Sequence, residues 1–281
     1  MIKNKTIAFL GAGSMAEAMI AGIVNAKKIS QDQIIVTNKS NRQRITELEM
    51  KYGIKGMSRE EMDFKNIDIF ILAMKPKDAE VALHSIKDQL KPEQLVISVL
   101  AGISTAFMEY NLKEGQQVVR VMPNTSSMIG ESATAISKGK YTAKSKLEDA
   151  KELLSCIGEV YVIKEDKMDI FTGIAGSGPA YFYYLMEHIE KAGKEAGLDV
   201  EMSRKIASQT ILGAAKMVME NDETPAELRE NVTSPNGTTA AGLDALASYG
   251  GGKAIAQAVK HAAQRSKEIS AQLKNKSIVL N

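Results

Sequence analysis

Two halves of unlike grammar predict a doubly wound α/β domain followed by an all-helical one. Residues 1–164 alternate short, continuously apolar runs with amphipathic stretches. From residue 165 to 281 the strand-like runs stop and helical spacing takes over. Strands that alternate with helices make a parallel sheet covered on both faces, and strands buried on both faces read as unbroken apolar runs.

The elements follow in order. "TIAFLGAG" (6–13), "QIIVTN" (33–38), "IDIFILAM" (67–74), "LVISVLAG" (95–102), "QVVRVMP" (117–123) and "EVYVIK" (159–164) are the predicted strands. "MAEAMIAGIVNA", "RQRITELEMKYG" and "KDAEVALHSIKDQL" carry apolar residues at helical spacing between them. In the second half helices are predicted over 179–198, 202–220, 225–231, 238–250 and 252–274. Pro179 and Pro225 suit first-turn positions, while Gly197 and the Gly250-Gly251-Gly252 run are stop signals.

Composition narrows the function classes. The chain has 281 residues, enough for about two domains. It is 44% hydrophobic and 25% charged, the balance of a soluble globular protein. A net charge of +2 gives no reason to expect a nucleic-acid partner. No apolar run approaches the roughly 18–20 residues of a membrane span, so no membrane association is expected. The single cysteine, Cys156, excludes a disulfide framework within one chain and fits a cytoplasmic protein. His84, His188 and His261 stand far apart without companion ligands, and no metal site is expected.

The turn after the first strand reads Gly11-x-Gly13-x-x-Ala16. In a dinucleotide site the first glycine makes the tight turn, and the second lets the backbone approach a pyrophosphate. The small third residue brings helix and strand together. Ser14 and Met15 open the helix whose N–H groups face the anion. The motif follows a strand and opens a helix, which is the context it needs, and this marks a Rossmann-type dinucleotide-binding domain.

The end of the second strand separates NAD from NADP. An acid there would bind a ribose 2′-hydroxyl. This chain has Asn38, Lys39, Ser40, Asn41 and Arg42 instead. Two cations and small polar groups suit a 2′-phosphate, with Arg42 able to bind it bidentately. NADPH is the expected cofactor and NADH the alternative. The loops after two further strands, Met74-Lys75-Pro76 and Ala101-Gly102, fall at the carboxyl ends where such sheets hold the cofactor.

In the helical half, "NVTSPNGTTAAGLDAL" (231–246) breaks the helical pattern and restarts it on two threonines. A helix N-terminus at Gly237-Thr238-Thr239 offers N–H groups to a small carboxylate. The plainer alternative is a helix start capped by Ser234 or Thr238, with Pro235 in the first turn. Upstream, Gly173-x-x-Gly176-x-Gly178 is similar to a motif of the β-hydroxyacid dehydrogenases. Those enzymes place a catalytic lysine where this chain has Phe182. The missing lysine counts against alcohol-to-ketone chemistry. An imine can be protonated before attack and needs less acid help.

"FLGAGSMAEAMI", "AMKP", "AGIS", "RVMPNT", "AGSGPAYFYYL" and "NVTSPNGTT" occur in the order of the pyrroline-5-carboxylate reductases, which the chain resembles from about residue 6 to 265. Where members usually read Ser-Pro-Gly-Gly, this chain has Asn236 in place of a glycine. Asn tolerates the left-handed region better than most residues.

The resemblance implies NADPH-dependent reduction of 1-pyrroline-5-carboxylate to L-proline, the last step of proline biosynthesis. It implies an all-helical C-terminal domain that forms a homodimer, with dimers joining into a larger homo-oligomer. Carried over, the substrate loop is Ser234 to Thr239, including Gly237 and Thr238. Ser177 and Gly178 contribute from another helix N-terminus, and Asn231 lies close to the cofactor. One threonine hydroxyl meets the carboxylate. Thr239 meets the ring nitrogen and is the expected catalytic residue. The competing expectations are a reductase of another cyclic imino acid or of a deazaflavin-like carrier, and a non-catalytic dinucleotide-binding regulator. The threonine loop and helical half match the proline branch against the carrier, and both binding motifs are intact against the regulator.

Overall fold

The structure, a computed structural model, describes residues 2–279, with side chains through residue 272. Met1 and residues 280 and 281, which the expected domain ranges include, lie outside the described residues.

Eight strands form one sheet in the order β3-β2-β1-β4-β5-β6-β7-β8. They are β1 (Ile7–Leu10), β2 (Ile34–Thr37), β3 (Lys55–Gly56), β4 (Ile69–Leu72), β5 (Leu95–Ser98), β6 (Gln117–Met122), β7 (Ser132–Lys138) and β8 (Gly158–Val162). The helices between them are α1 (Ser14–Ala26), α2 (Arg42–Tyr52), α3 (Ala79–Ile86), α4 (Thr105–Asn111) and α5 (Lys144–Leu154). From β1 the chain adds strands first toward β2 and β3, then in the other direction through β4 and β5. That reversal leaves a crevice at the carboxyl ends of β1 and β4.

Alternate residues of each strand enter different cores, which is why the apolar runs are unbroken. Phe9, Ile34, Val36, Ile71, Ile97 and Val119 pack on one face with Met19 and Ile20 of α1, Leu48 of α2 and Leu153 of α5. Ala8, Leu10, Phe70, Leu72 and Val96 pack on the other with Leu83 and Ile86 of α3 and Met108 of α4.

Between residues 1 and 164 the sequence pattern misses four strands and α-helices. β3 is two residues long, too short to make a run. β7, "SATAISK", is rich in small polar residues; Thr134 and Ser137 are buried by hydrogen bonding, not by hydrophobicity. β7 runs antiparallel to β6, so the sheet is mixed and not purely parallel. α4 and α5 make no clear apolar pattern: one is only seven residues long, and the other is mostly polar.

Past β8 come α6 (Met168–Phe171), a π turn (Thr172–Gly176), α7 (Gly178–Glu195), α8 (Val200–Glu220), α9 (Pro225–Asn231), α10 (Thr238–Ser248) and α11 (Gly251–Val279). Helical structure follows from Glu165, but the packing divides elsewhere. The sheet unit extends to Ser177 and includes the described residues from His261 onward; Gly178 to Lys260 form the second unit. The reason for the first extension is Met168, fully buried in one cluster with Met122 and Ala135. In the returning stretch the buried Ser266 hydroxyl donates to Asp169 Oδ1 at 2.7 Å.

The second unit has little core of its own. Ser203 and Ala207 of α8 are buried, and a Cβ at Gly193 of α7 would lie 2.5 Å from Ser203 Oγ. Phe182, Tyr183, Tyr184, Ile206, Met219 and Tyr249 are all more than half exposed. Among the described residues no helix is long and apolar enough to cross a membrane.

Candidate functional site

The glycine turn has the geometry that an anion cradle requires. Gly11 has φ +121°, and a Cβ there would lie 2.5 Å from the Ala73 carbonyl carbon and oxygen. Only glycine lets β1 turn this close to the end of β4. Gly13 is the N-cap of α1 and supplies no side-chain cap. The first N–H groups of α1, from Ser14 and Met15 onward, therefore lack the side-chain acceptor that caps α2, α4, α8 and α9. A pyrophosphate fits there without displacing a protein group.

At the end of β2, Asn38 Oδ1 accepts from the Ser40 and Asn41 amides at 3.1 and 3.2 Å. Asn41 in turn caps α2 through the Arg44 amide at 2.9 Å. This double turn leaves Lys39, Ser40 and Arg42 exposed on one short arc. Arg42 Nη1 lies 3.8 Å from Glu61 Oε2, with both side chains more than half exposed.

Arg44, two residues on, is committed elsewhere. It binds the Glu17 carboxylate, the Ala12 carbonyl at 3.2 Å and Glu47 at 3.1 Å. Glu17 also accepts from Lys51 at 2.9 Å and Tyr52 at 3.1 Å. The Lys51 hydrogen bond first, and then those of Arg44 and Tyr52, pull its pKa down to about 2. The cluster ties the first turn of α1 to α2. Sequence reasoning missed it, although 44, 51 and 52 fall on one face of α2.

Met74 and Pro76 are partly buried after β4, and Lys75 is exposed. Ala101 and Gly102 follow β5, with Gly102 at φ +80°. Behind them Thr105, the first residue of α4, gives its amide to Glu165 Oε1 at 2.8 Å and its hydroxyl to Oε2 at 2.5 Å. These loops sit at the carboxyl ends of β1, β2, β4 and β5, so they share one rim of the sheet.

Ser177 and Gly178 do not begin a helix out of a loop. The chain reaches them through α6 and the π turn, in which the Ser177 amide donates to Thr172 O at 2.8 Å.

In the second unit the Asn231–Leu246 stretch takes the uncapped form. The Gly237 amide donates to Ser234 O at 3.0 Å, closing a turn. Asn236 stands at φ +60°, the left-handed conformation that its usual glycine would adopt freely. Gly237 is the N-cap of α10 and offers no side-chain cap, so neither Ser234 nor Thr238 plays that part. Thr238 and Thr239 are exposed in the first turn. Asn231 ends α9 and donates from Nδ2 to Glu223 Oε1 at 2.9 Å.

Comparison with known proteins places these features in one family. Residues 165–269 match the family model for pyrroline-5-carboxylate reductase dimerisation, and residues 6–102 match that for coenzyme F420-dependent NADP oxidoreductases. The chain is 64% identical over 267 residues to pyrroline-5-carboxylate reductase 1 of Bacillus spizizenii, covering 95% of this chain and 90% of that protein. It is 42% identical over 268 residues to pyrroline-5-carboxylate reductase 2 of Bacillus subtilis, covering 95% and 96%. Among solved structures, the pyrroline carboxylate reductase of Plasmodium falciparum with NADP bound superposes with a TM-score of 0.86 at 31% identity, covering 95% of this chain and 99% of that one. A ketol-acid reductoisomerase shares the fold alone, at 15% identity and a TM-score of 0.64. The chain belongs to the pyrroline-5-carboxylate reductase family.

Proposed function

We propose that this protein reduces 1-pyrroline-5-carboxylate to L-proline with NADPH, the last step of proline biosynthesis. The observation that carries the reading is the uncapped start of α10, where a glycine N-cap follows a left-handed Asn236 and two threonines are exposed. A small carboxylate beside a C=N bond matches that arrangement. The Thr238 and Thr239 amides and the helix dipole bind the carboxylate. Ser234 and Gly237 shape the loop, and Ser177 and Gly178 are the further residues assigned to the substrate. The Thr239 hydroxyl accepts from the protonated ring nitrogen and fixes which face of the C=N carbon is presented.

NADPH, when bound, supplies the hydride that reduces the C=N carbon. The proton on nitrogen comes from solvent, since the imine is protonated before attack. With Phe182 where a related enzyme class has lysine, the chain needs no strong acid there. Catalysis rests on holding substrate and cofactor at near-attack distance. Gly11, Gly13, Ser14 and Met15 hold the pyrophosphate. Lys39, Ser40 and Arg42 hold the 2′-phosphate, and Asn38 shapes their loop. Met74, Lys75, Pro76, Ala101 and Gly102 line the rest of the cofactor, with Asn231 close to it.

The exposed apolar side chains of the second unit make a homodimer the expected state, because a patch of this kind on a soluble chain marks an interface. We infer further assembly of dimers into a larger ring, no nucleic-acid partner, and a cytoplasmic location that suits the single buried thiol of Cys156. The test is NADPH consumption by purified protein with 1-pyrroline-5-carboxylate. L-Proline as product supports the reading, and turnover only with a different cyclic imine overturns it.

A further inference from the structure

Asn124 follows β6 and is 7% exposed. Its Nδ2 donates to the Ala175 carbonyl at 3.0 Å. Its Oδ1 accepts from the Ser126 amide at 3.0 Å, and its own amide donates to Ser132 Oγ at 3.1 Å. Ser132 Oγ in turn shares a hydrogen bond of 2.9 Å with Thr134 Oγ1. The Asn124 carbonyl takes the Ser127 hydroxyl at 2.7 Å. With both ends of the amide engaged, its orientation is fixed. A flip would set oxygen against oxygen at Ala175 and N–H against N–H at Ser126.

Ala175 lies in the π turn. In a regular helix its carbonyl would receive the N–H of residue 179. Residue 179 is proline and has no N–H. Ala175 is itself 9% exposed, so water is a poor substitute. The Asn124 side chain supplies the donor that Pro179 lacks. π turns of this kind recur at functional sites because they displace the residues that follow them. Here the next residues are Ser177 and Gly178.

We propose that Asn124 is a positioning residue for the reduction. By holding the Ala175 carbonyl it fixes the π turn, and with it the placement of Ser177 and Gly178 toward the substrate. This inference rests on the reading that Ser177 and Gly178 meet the substrate.

The test uses the full-length protein carrying N124A, N124D, S132A, P179A or N124A/P179A. Rates are measured with NADPH and 1-pyrroline-5-carboxylate, NADPH binding by fluorescence, and Ser177 amide exchange by hydrogen exchange. N124A and N124D are expected to lower kcat 10- to 100-fold with NADPH affinity within threefold of wild type. S132A, a milder change in the same chain of hydrogen bonds, is expected to lower kcat three- to tenfold and stands in if the Asn124 variants do not fold. P179A restores a backbone N–H, so N124A/P179A is expected to regain at least fivefold over N124A.

Turnover of N124A within threefold of wild type overturns the proposal. So does parallel loss of NADPH binding and kcat, or the absence of rescue by P179A. Ser177 exchange separates this proposal from the substrate reading. If wild type turns over no 1-pyrroline-5-carboxylate but N124A speeds Ser177 exchange tenfold, the clamp stands and the substrate is wrong. If exchange is unchanged, the clamp is wrong.

Discussion

The Arg120 guanidinium on β6 lies 3.3 Å from the Glu165 carboxylate, with the arginine side chain only 5% exposed. Glu165 also accepts from the amide and hydroxyl of Thr105. One carboxylate thus joins the strand, the start of α4 behind the Ala101-Gly102 loop, and the segment entering α6. Removing one member of a buried ion pair leaves the other charge uncompensated. Glu165→Ala is expected to destabilise the protein by about 3 kcal/mol in urea unfolding. Arg120→Met together with Glu165→Leu is expected to recover most of that loss, and equal destabilisation in the double variant would contradict the pairing.

Thr239→Ala removes the hydroxyl assigned to the ring nitrogen. Its kcat is expected to fall about 100-fold, on the order of the loss of one preorganised hydrogen bond at the reacting centre. Thr238→Ala is expected to act mainly on KM for the substrate. Steady-state rates of the two variants, with circular dichroism to confirm folding, separate the roles.

Arg42→Ala is expected to weaken NADPH about tenfold, the loss of one charge-assisted contact, and to leave NADH within twofold. Arg44→Ala differs, since Arg44 is held by Glu17 and Glu47. It is expected to affect both cofactors alike. Titrations of each variant with both nucleotides check this.

Glu17 titrates at about 2 in the fold against an ordinary 4.5. A depressed carboxylate pKa adds stability that is complete above 4.5 and lost as pH falls toward 2. Glu17→Gln is expected to cost about 1–2 kcal/mol at pH 7, a discounted figure because the Lys51 partner is exposed. Denaturant midpoints of variant and wild type are expected to converge between pH 4.5 and 2.

Where hydrophobic pattern and glycine placement set the structure, the sequence is readable. Phe9, Ile71 and Ile97 make unbroken runs because both sheet faces are buried, and Gly11 stands where the close approach of Ala73 demands it. Side-chain hydrogen bonding was not readable. β7 is built on Ser132, Thr134 and Ser137, whose burial depends on each other, on the Asn124 amide before the strand and on the Ile163 carbonyl 26 residues on. The π turn was invisible because its period matches neither helix nor strand, and its partner Asn124 lies 51 residues upstream. At the candidate site, the residue types around Gly237 pointed to an anion, but only the backbone showed that no side chain occupies the N-cap of α10.

The central claim is tested most directly by the initial rate of NADPH oxidation by the purified protein with and without 1-pyrroline-5-carboxylate, with L-proline measured as product and NADH run in parallel. The account expects substrate-dependent oxidation, one proline per NADPH consumed, and a slower rate or weaker binding with NADH. NADPH binding without oxidation, or oxidation that yields no proline, would contradict it.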